Sequence, residues 1–451
     1  MKFKAAYTNT MTEREVMNRN KVLSLAGECM VLLKNDGVLP IKNLPNKIAL
    51  YGNGARRTVK GGTGSGDVNV RDSVTIEEGL KAAGFEITTS LWLERMDRVA
   101  GEEQRQLQEE ARKQAQKAGI EEAVFLSIHT FSPKAMALIS EEDIKNSDTD
   151  LAIYVIARNS GEGLDRLNEE GDYQLSEMEK YNLSFISEKY EKVIVLLNIG
   201  GIIDTKFLRA QDKINAIVYI GQLGNITGTA VADLIVGKSI PSGKLADTWA
   251  DNYEDYPSST GFSLNDGNVD DEYYTEGIYV GYRYFDTFGV VPAYPFGFGL
   301  SYTEFKLFMT STAIVGDCLR LCVKVENTGS YPGKEVVQVY CSAPDGKLEK
   351  PFQNLCAFQK TGQLLPGETQ EIVFHIKVAA LASYYDKMDY WIMEKGKYIF
   401  RVGNSSRNTH IAAIVMLTED TVTEKLKPLF SDEDMTFSEI SRKGVVAYTY
   451  A

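Results

Sequence analysis

Histidine, cysteine and tryptophan are scarce in this sequence. Its 451 residues include three histidines, five cysteines and three tryptophans. Because His129, His375 and His410 are far apart along the chain, neither a histidine-based metal site nor a Ser-His-Asp triad is expected. The cysteines are odd in number and contain no Cys-x-x-Cys pair, which favours reduced, buried thiols over a disulfide framework. We therefore expect no metal and no cofactor.

Long hydrophobic runs are absent as well. The N-terminus contains no apolar signal segment, and no stretch reaches the length of a transmembrane helix. We expect a cytoplasmic protein without a membrane partner. The net charge of −13 also disfavours nucleic acid and anionic lipid as partners. An uncharged substrate and a homo-oligomer remain open.

The first half of the chain has the pattern of an α/β domain. Short apolar runs with β-branched residues alternate with segments at helical spacing. This alternation predicts a three-layer α/β sandwich with a mostly parallel sheet. The predicted strands are 48–51, 123–128, 151–157, 193–197 and 216–220, and the predicted helices are 11–33, 76–83, 101–118, 175–189 and 227–236.

A period of two marks a different domain in the second half. Segments such as 319–325 and 398–402 place apolar residues at alternate positions, and turn sequences such as Leu365-Pro-Gly-Glu368 separate them. This pattern predicts an antiparallel β-sandwich. The predicted divisions are the α/β domain at 1–245, an aromatic connector at 246–300, the β-sandwich at 301–418 and a polar tail or linker at 419–451.

One loop of the predicted α/β domain displays a carboxylate. The apolar strand predicted at 151–157 is followed by Arg158-Asn-Ser-Gly-Glu-Gly-Leu-Asp-Arg166. Gly161 and Gly163 permit a tight turn on either side of Glu162, and ligands bind beyond the carboxyl ends of strands in an open α/β sheet. Glu162 is therefore a candidate for proton transfer. On the loop alone, a solvated surface with an Arg–Asp pair is the simpler interpretation.

Neighbouring segments change that interpretation. Ser160–Arg166, together with Gly171-Asp-Tyr-Gln-Leu-Ser176, resembles the acid/base loop of glycoside hydrolase family 3, the β-glucosidase and β-xylosidase family. Segments at 31–40, 61–68 and 274–302 are similar to the same family and occur in the same order. The resemblance runs from about Met11 to about Val415, and it implies that the β-sandwich is fibronectin type III-like.

Members of this family also carry a (β/α)8 barrel, whose Ser-Asp-aromatic motif supplies the catalytic nucleophile. The two Ser-Asp pairs of this sequence, at 147–148 and 431–432, are followed by threonine and glutamate, so neither fits. No eightfold alternation of strands and helices is present either. We therefore expect this chain to hold the second and third domains of the family, with the barrel supplied in cis or in trans.

The resemblance implies roles for particular residues. Retaining hydrolysis needs two carboxylates about 5–5.5 Å apart, and the acid/base role falls to Glu162. The glycine-rich loop at 61–66 would line the sugar cleft, and it lacks the spacing of a phosphate-binding loop. The residues expected to contact the β-glycoside are Gly64, Ser65, Asp67, Arg158, Asp165 and Arg166. For Asp67, a turn-capping role is an equal alternative.

The two arginines that flank Glu162 raise a question of charge. A nearby cation would keep Glu162 ionised, whereas a general acid must hold its proton near neutral pH. We therefore expect Arg158 and Arg166 to be engaged by Asp165, Asp172 or Glu169.

Two functions stay open on the sequence. The chain is either part of a retaining β-glucosidase-like enzyme, weakly active or inactive alone, or a non-catalytic carbohydrate-binding or accessory protein on the same scaffold. The Ser-Gly-Glu-Gly loop favours the enzyme, and the lack of a nucleophile motif favours the accessory protein. The aromatic stretch at 273–302 is interpreted as packing between domains rather than as a sugar-stacking platform.

Overall fold

The computed structural model describes residues 8–42, 47–121, 134–160, 165–268, 270–427 and 438–443. Contacts divide the chain into two units. The first contains residues 1–203 and 211–243, and the second contains residues 204–210 and 244–451. The four divisions expected from the sequence stay a prediction.

The first unit is built on a six-stranded sheet with the order β1-β6-β5-β4-β2-β3. All neighbouring pairs are parallel except β1 with β6. The strands are β1 Val31–Asn35, β2 Lys47–Tyr51, β3 Glu86–Ile87, β4 Leu151–Arg158, β5 Lys192–Ile199 and β6 Ile214–Tyr219. The helices of this unit are α1 Glu13–Cys29, α2 Ile76–Ala82, α3 Ser90–Ala118, α4 Glu141–Ser147, α5 Glu177–Lys189 and α7 Thr227–Ile235.

The central strands form the core of this unit because their apolar runs are covered on both faces. All eight residues of β4 are buried, as are seven of the eight in β5. Helices α2 and α7 pack closely through glycine. A Cβ atom placed on Gly79 would lie 2.0 Å from the carbonyl oxygen of Gly228, so a larger residue cannot fit there without moving the backbone.

The sequence located most elements of this unit but missed the short strand β3 and helix α4, and two predicted helices have other bounds. The helix predicted over 11–33 ends at Cys29, and Val31–Asn35 is an edge strand instead. The polar helix predicted over 101–118 begins earlier, at Ser90. The strand predicted at 123–128 lies outside the described residues.

The second unit contains the β-sandwich. One sheet has the order β10-β9-β14-β15, a second has the order β11-β8-β7, and a small third sheet has the order β12-β13-β16. Neighbouring strands in all three sheets are antiparallel. The strands are β7 Phe305–Val315, β8 Cys318–Asn327, β9 Val336–Ser342, β10 Asn354–Lys360, β11 Thr369–Lys377, β12 Ser383–Tyr385, β13 Tyr390–Met393, β14 Gly396–Ser405, β15 Asn408–Leu417 and β16 Thr421–Lys425. Its helices are α6 Lys206–Ala210 and α8 Tyr282–Phe288.

The alternating residues of the sequence form the sandwich core, so the predicted fold class is confirmed. Leu321, Val339 and Phe400, from three of the strands, belong to one buried cluster. Strand β16 lies in the stretch predicted as a tail or linker. Its β-branched residues pair with β13, which accounts for the difference.

The aromatic stretch before the sandwich packs inside the second unit. The rings of Tyr282 and Phe296 are stacked with centroids 4.7 Å apart, and Tyr340 meets Tyr282 edge-on at 5.9 Å. Tyr273 and Tyr274 are exposed instead. Among the helices that the structure describes, none is long and apolar enough to cross a membrane.

Candidate active site

The loops that follow β2, β4, β5 and β6 leave the same edge of the sheet, because these strands are parallel. Two asparagines tie these loops together. Asn53 exchanges hydrogen bonds of 2.8 and 3.1 Å with the backbone of Ala157. Asn198, fully buried, accepts from the Val59 N–H at 2.6 Å and donates to the carbonyl oxygens of Val59 and Gly221 at 3.0 and 2.7 Å. The edge is therefore a fixed frame for any side chain displayed there.

The loop after β4 carries the predicted acid/base. Gly161, Glu162, Gly163 and Leu164 lie outside the described residues, so the structure is informative about the two ends of this loop. At one end, Gly200 makes room for Ser160: a Cβ atom on Gly200 would lie 1.9 Å from the Ser160 Oγ and 2.7 Å from the Gln222 Nε2. The loops after β4, β5 and β6 therefore meet in close contact.

Arg158 anchors the beginning of the loop. Its Nη1 and Nη2 atoms bind the two carboxylate oxygens of Glu179 at 2.9 and 2.7 Å, and its Nε donates to the carbonyl oxygen of Asp172 at 3.0 Å. Only 4% of the Arg158 side chain is exposed. Arg158 is thus paired with the carboxylate of Glu179, which was not among the expected partners, and it contacts Asp172 only through the backbone. This burial does not support the direct substrate contact expected for Arg158.

Glu179 also caps helix α5. The backbone N–H of Ser176 donates to the Glu179 Oε2 at 2.9 Å, and the Ser176 hydroxyl accepts from the Glu179 N–H at 3.2 Å. This reciprocal pair is a capping box. One carboxylate therefore fixes both a helix end and the first arginine of the loop.

Arg166 fixes the far end of the loop. Its Nε binds the Asp172 Oδ1 at 2.6 Å, as expected, and its Nη1 donates to the carbonyl oxygen of Ile202 at 3.0 Å. The second carboxylate oxygen of Asp172 accepts from the Leu167 N–H at 2.7 Å. Asp165 is exposed beside this pair.

The glycine-rich loop forms a single 3-10 turn over Gly64–Gly66, in which Gly64 has a φ of +79° that favours glycine. The turn is closed by the Asp67 N–H, which donates to the Gly64 carbonyl oxygen at 3.1 Å. The Asp67 carboxylate pairs with Lys60 at 2.7 Å and is largely exposed, as is Ser65. The Lys60 carbonyl oxygen accepts from the Gly224 N–H at 2.8 Å, so this loop also joins the same frame.

Four buried polar atoms on these loops have no hydrogen-bond partner in the part of the chain that the structure describes. They are Thr63 Oγ1, Asn159 Oδ1, Arg166 Nη2 and Gln222 Nε2. A buried polar group left unsatisfied costs about 1–3 kcal/mol, so such groups are normally satisfied by water or by a bound polar molecule. All four atoms are buried, so the groups that satisfy them must lie inside this frame of loops rather than on its surface.

Three of these residues were missed from the sequence. Asn159 stands directly after the strand that precedes Glu162, which was an available signal. Thr63 lies within the glycine-rich loop that the sequence had placed in the sugar cleft, whereas Gln222 gave no comparable signal, because only the folded chain brings its loop to this edge. Among the described residues, no group of acidic, histidine and cysteine side chains could hold a metal ion.

Family models match both parts of this fold. The Glycosyl hydrolase family 3 C-terminal domain matches residues 30–282, and the Fibronectin type III-like domain matches residues 335–406. The first match covers more than half of the chain. The chain therefore belongs to glycoside hydrolase family 3.

Individual relatives are similar over most of this chain. Beta-glucosidase A from Butyrivibrio fibrisolvens is 38% identical over 86% of this chain and 49% of the relative. Beta-glucosidase from Ruminococcus albus is 35% identical over 90% of this chain and 41% of the relative. The structure of beta-glucosidase 3B from Thermotoga neapolitana in complex with glucose superposes with a TM-score of 0.76 at 38% identity, over 90% of this chain and 55% of that one. The chain thus spans about half the length of these relatives.

Proposed function

We propose that this chain is part of a retaining β-glucosidase that hydrolyses the O-glycosidic bonds of β-linked glucosides or oligosaccharides. In this proposal Glu162 is the acid/base, and the nucleophile lies on a (β/α)8 barrel supplied in cis or in trans. The observation that carries the proposal is the match to relatives named beta-glucosidase, which covers 86% and 90% of this chain. A cytoplasmic location stays a prediction from the sequence.

The charges around the loop support the role of Glu162. Both flanking arginines bind other carboxylates, Arg158 that of Glu179 and Arg166 that of Asp172. Neither guanidinium therefore carries an uncompensated positive charge that would hold Glu162 ionised. A general acid in this position can keep its proton until the leaving oxygen needs it.

The support for the remaining site residues as substrate contacts differs from residue to residue. Gly64, Ser65, Asp67 and Asp165 are exposed, so they are accessible to a sugar. Arg166 is proposed as a substrate contact through the 17% of its side chain that stays accessible, while its Nε stays on Asp172. We propose no direct contact for Arg158, because its guanidinium is already engaged.

The test is Glu162→Ala in the chain assembled with its barrel, assayed with two substrates. The isolated chain gives the baseline, and we expect it barely to hydrolyse aryl β-glucosides because one carboxylate of the pair is absent. In the assembled enzyme, an alkyl β-glucoside needs its leaving oxygen protonated, so the variant should lose about 10²–10⁴-fold in kcat/KM. A dinitrophenyl glucoside needs little acid assistance, so its glycosylation step should persist and azide should rescue turnover.

The matched control is Glu177→Gln, which removes an exposed carboxylate from the first turn of α5. It should leave both rates unchanged. Equal losses on the two substrates in Glu162→Ala, without rescue by azide, would show that Glu162 is not the acid/base. If the assembled chain hydrolyses no β-glucoside, the accessory-protein alternative replaces the proposal.

A further inference from the structure

The small sheet of the second unit presents a row of side chains that the proposed hydrolysis does not use. Tyr384 on β12 is directly opposite Trp391 on β13, and Trp391 is directly opposite Glu424 on β16. Side chains that are directly opposite on neighbouring strands lie on the same face of a sheet. We call Tyr384, Trp391 and Glu424 the aromatic row.

The two rings of the aromatic row are close to each other and open to solvent. Their centroids are 5.5 Å apart and their planes are inclined at 50°. Tyr384 is 39% exposed and Trp391 is 38% exposed, whereas the next residue, Ile392, is buried on the other face. The other two tryptophans of the chain, Trp92 and Trp249, are buried. The two rings therefore form a small exposed aromatic patch on which a ligand can stack.

Acceptor oxygens border these rings. The Tyr384 hydroxyl donates to the Asp389 Oδ1 at 3.1 Å, and Glu424, opposite Trp391, is exposed. The face of an aromatic ring is electronegative and attracts the weakly positive hydrogens of C–H groups. A β-glucopyranose ring has C–H groups on its faces and hydroxyl groups around its edge, so it offers the matching pattern.

We propose that the aromatic row binds one neutral β-glucosyl ring of a glucoside or short oligosaccharide. The sugar face lies on the indole of Trp391, the Tyr384 ring contacts its edge, and hydroxyl groups donate to the carboxylates of Glu424 and Asp389. The choice of a glucosyl ligand rests on the proposed function, but the site itself is argued from this sheet alone.

The geometry favours a small sugar over a protein surface. A large aromatic residue buries about 150–250 Å² when fully covered, so the exposed parts of the two rings amount to roughly 120–200 Å² together. That area is a small part of the roughly 800 Å² that each partner of a stable dimer buries, so the row by itself is too small to hold a second copy. The inclined rings also leave no flat surface for a second copy of the sheet. The carboxylates of Asp389 and Glu424 disfavour an anionic ligand.

The experiment uses the full chain and two measurements. Tryptophan emission is followed while cellotriose is added, with sorbitol as a polyol that has no ring. Because only Trp391 among the three tryptophans is exposed, a saturable change with cellotriose but not with sorbitol is expected. Independently, migration is measured in native gels that contain a soluble β-glucan, which should retard the chain.

Variants of the aromatic row test whether it causes the retardation by the β-glucan. Trp391→Ala and Tyr384→Ala should each weaken the retardation roughly 3- to 10-fold in apparent affinity, and Glu424→Gln should weaken it too. The control is Phe358→Ala, which removes an aromatic side chain that is 68% exposed on β10. It should migrate like the wild type. Thermal melts accompany each variant, and if Trp391→Ala melts early, Glu424→Gln, which changes no buried group, carries the test.

Three results would overturn the inference. In the first, the β-glucan does not retard the wild-type chain. In the second, Trp391→Ala and Glu424→Gln are both retarded as strongly as the wild type. In the third, Phe358→Ala loses as much affinity for the β-glucan as the variants of the row do. A dimer detected by light scattering and abolished in Trp391→Ala would assign the row to self-association instead. Neither the emission measurement nor the gel measurement depends on hydrolysis. A failure of this inference can therefore be told apart from a failure of the Glu162 test.

Discussion

Replacing Glu179 with alanine should destabilise the first unit by about 3–5 kcal/mol, because it leaves Arg158 as an unpaired buried charge. The side chains of this pair are 4% and 2% exposed, so water cannot replace the lost carboxylate without opening the structure. The upper end of this range is expected, since the variant also removes the acceptor for the Ser176 N–H at the start of α5. The effect should exceed that of any exposed ion pair, which contributes about 0–1 kcal/mol.

The double variant Arg158→Met with Glu179→Leu separates charge from packing. Exchanging a whole buried ion pair for apolar side chains is often neutral or stabilising, so this variant should return to within about 2 kcal/mol of the wild type. Native-state hydrogen exchange of the β4 amides reports on the first unit alone, which avoids treating a two-unit chain as one transition. A loss below about 1 kcal/mol in Glu179→Ala, or a double variant as unstable as the single one, would refute the reasoning.

Two further predictions concern the first unit. Burial raises the pKa of Glu77, but hydrogen bonds, above all from Arg56, outweigh this effect and hold the pKa below 4.5. The ionised Glu77 side chain therefore stabilises the fold fully above pH 4.5, and this stabilisation is lost as the pH falls through the lower pKa of the folded state. Glu77→Gln should therefore flatten the acid-side decline of the urea midpoint, and an unchanged decline would contradict this account. Gly79→Ala should lower the free energy of unfolding by about 1–3 kcal/mol, because the new methyl group clashes with the backbone of α7. The control is Gly101→Ala, in open space within α3, which should raise the free energy of unfolding by roughly 0.5–1 kcal/mol. Melting temperatures that change in the same direction in both variants would exclude the clash.

The sequence was most informative where local pattern and tertiary environment agree. The run at 151–157 is apolar and β-branched, and β4 occupies Leu151–Arg158. At 31–35 the local pattern and the tertiary environment disagreed, because a short apolar run fits a helix as well as a strand. The chain turns extended at Met30, and Val31–Asn35 then pairs with β6. That pairing partner lies far along the sequence, so local pattern could not select it.

The site shows the same division. The pairing of Arg166 with Asp172 spans six residues and was within reach of the sequence. The pairing of Arg158 with Glu179 depends on where α5 begins relative to β4, which is a tertiary property. Its one local signal was the Ser176-x-x-Glu179 capping pattern, which marks the helix start but not the arginine. The four unpartnered atoms could be recognised only from their burial.

The position of Asn198 has a consequence for the order in which the chain acquires its shape. Its amide holds Val59, 139 residues earlier, and Gly221, 23 residues later. During synthesis Val59 emerges from the ribosome long before Asn198 and Gly221. Asn198 can therefore join the loops that contain Val59 and Gly221 only after β6 has been made, so this edge of the sheet is completed late in the synthesis of the first unit.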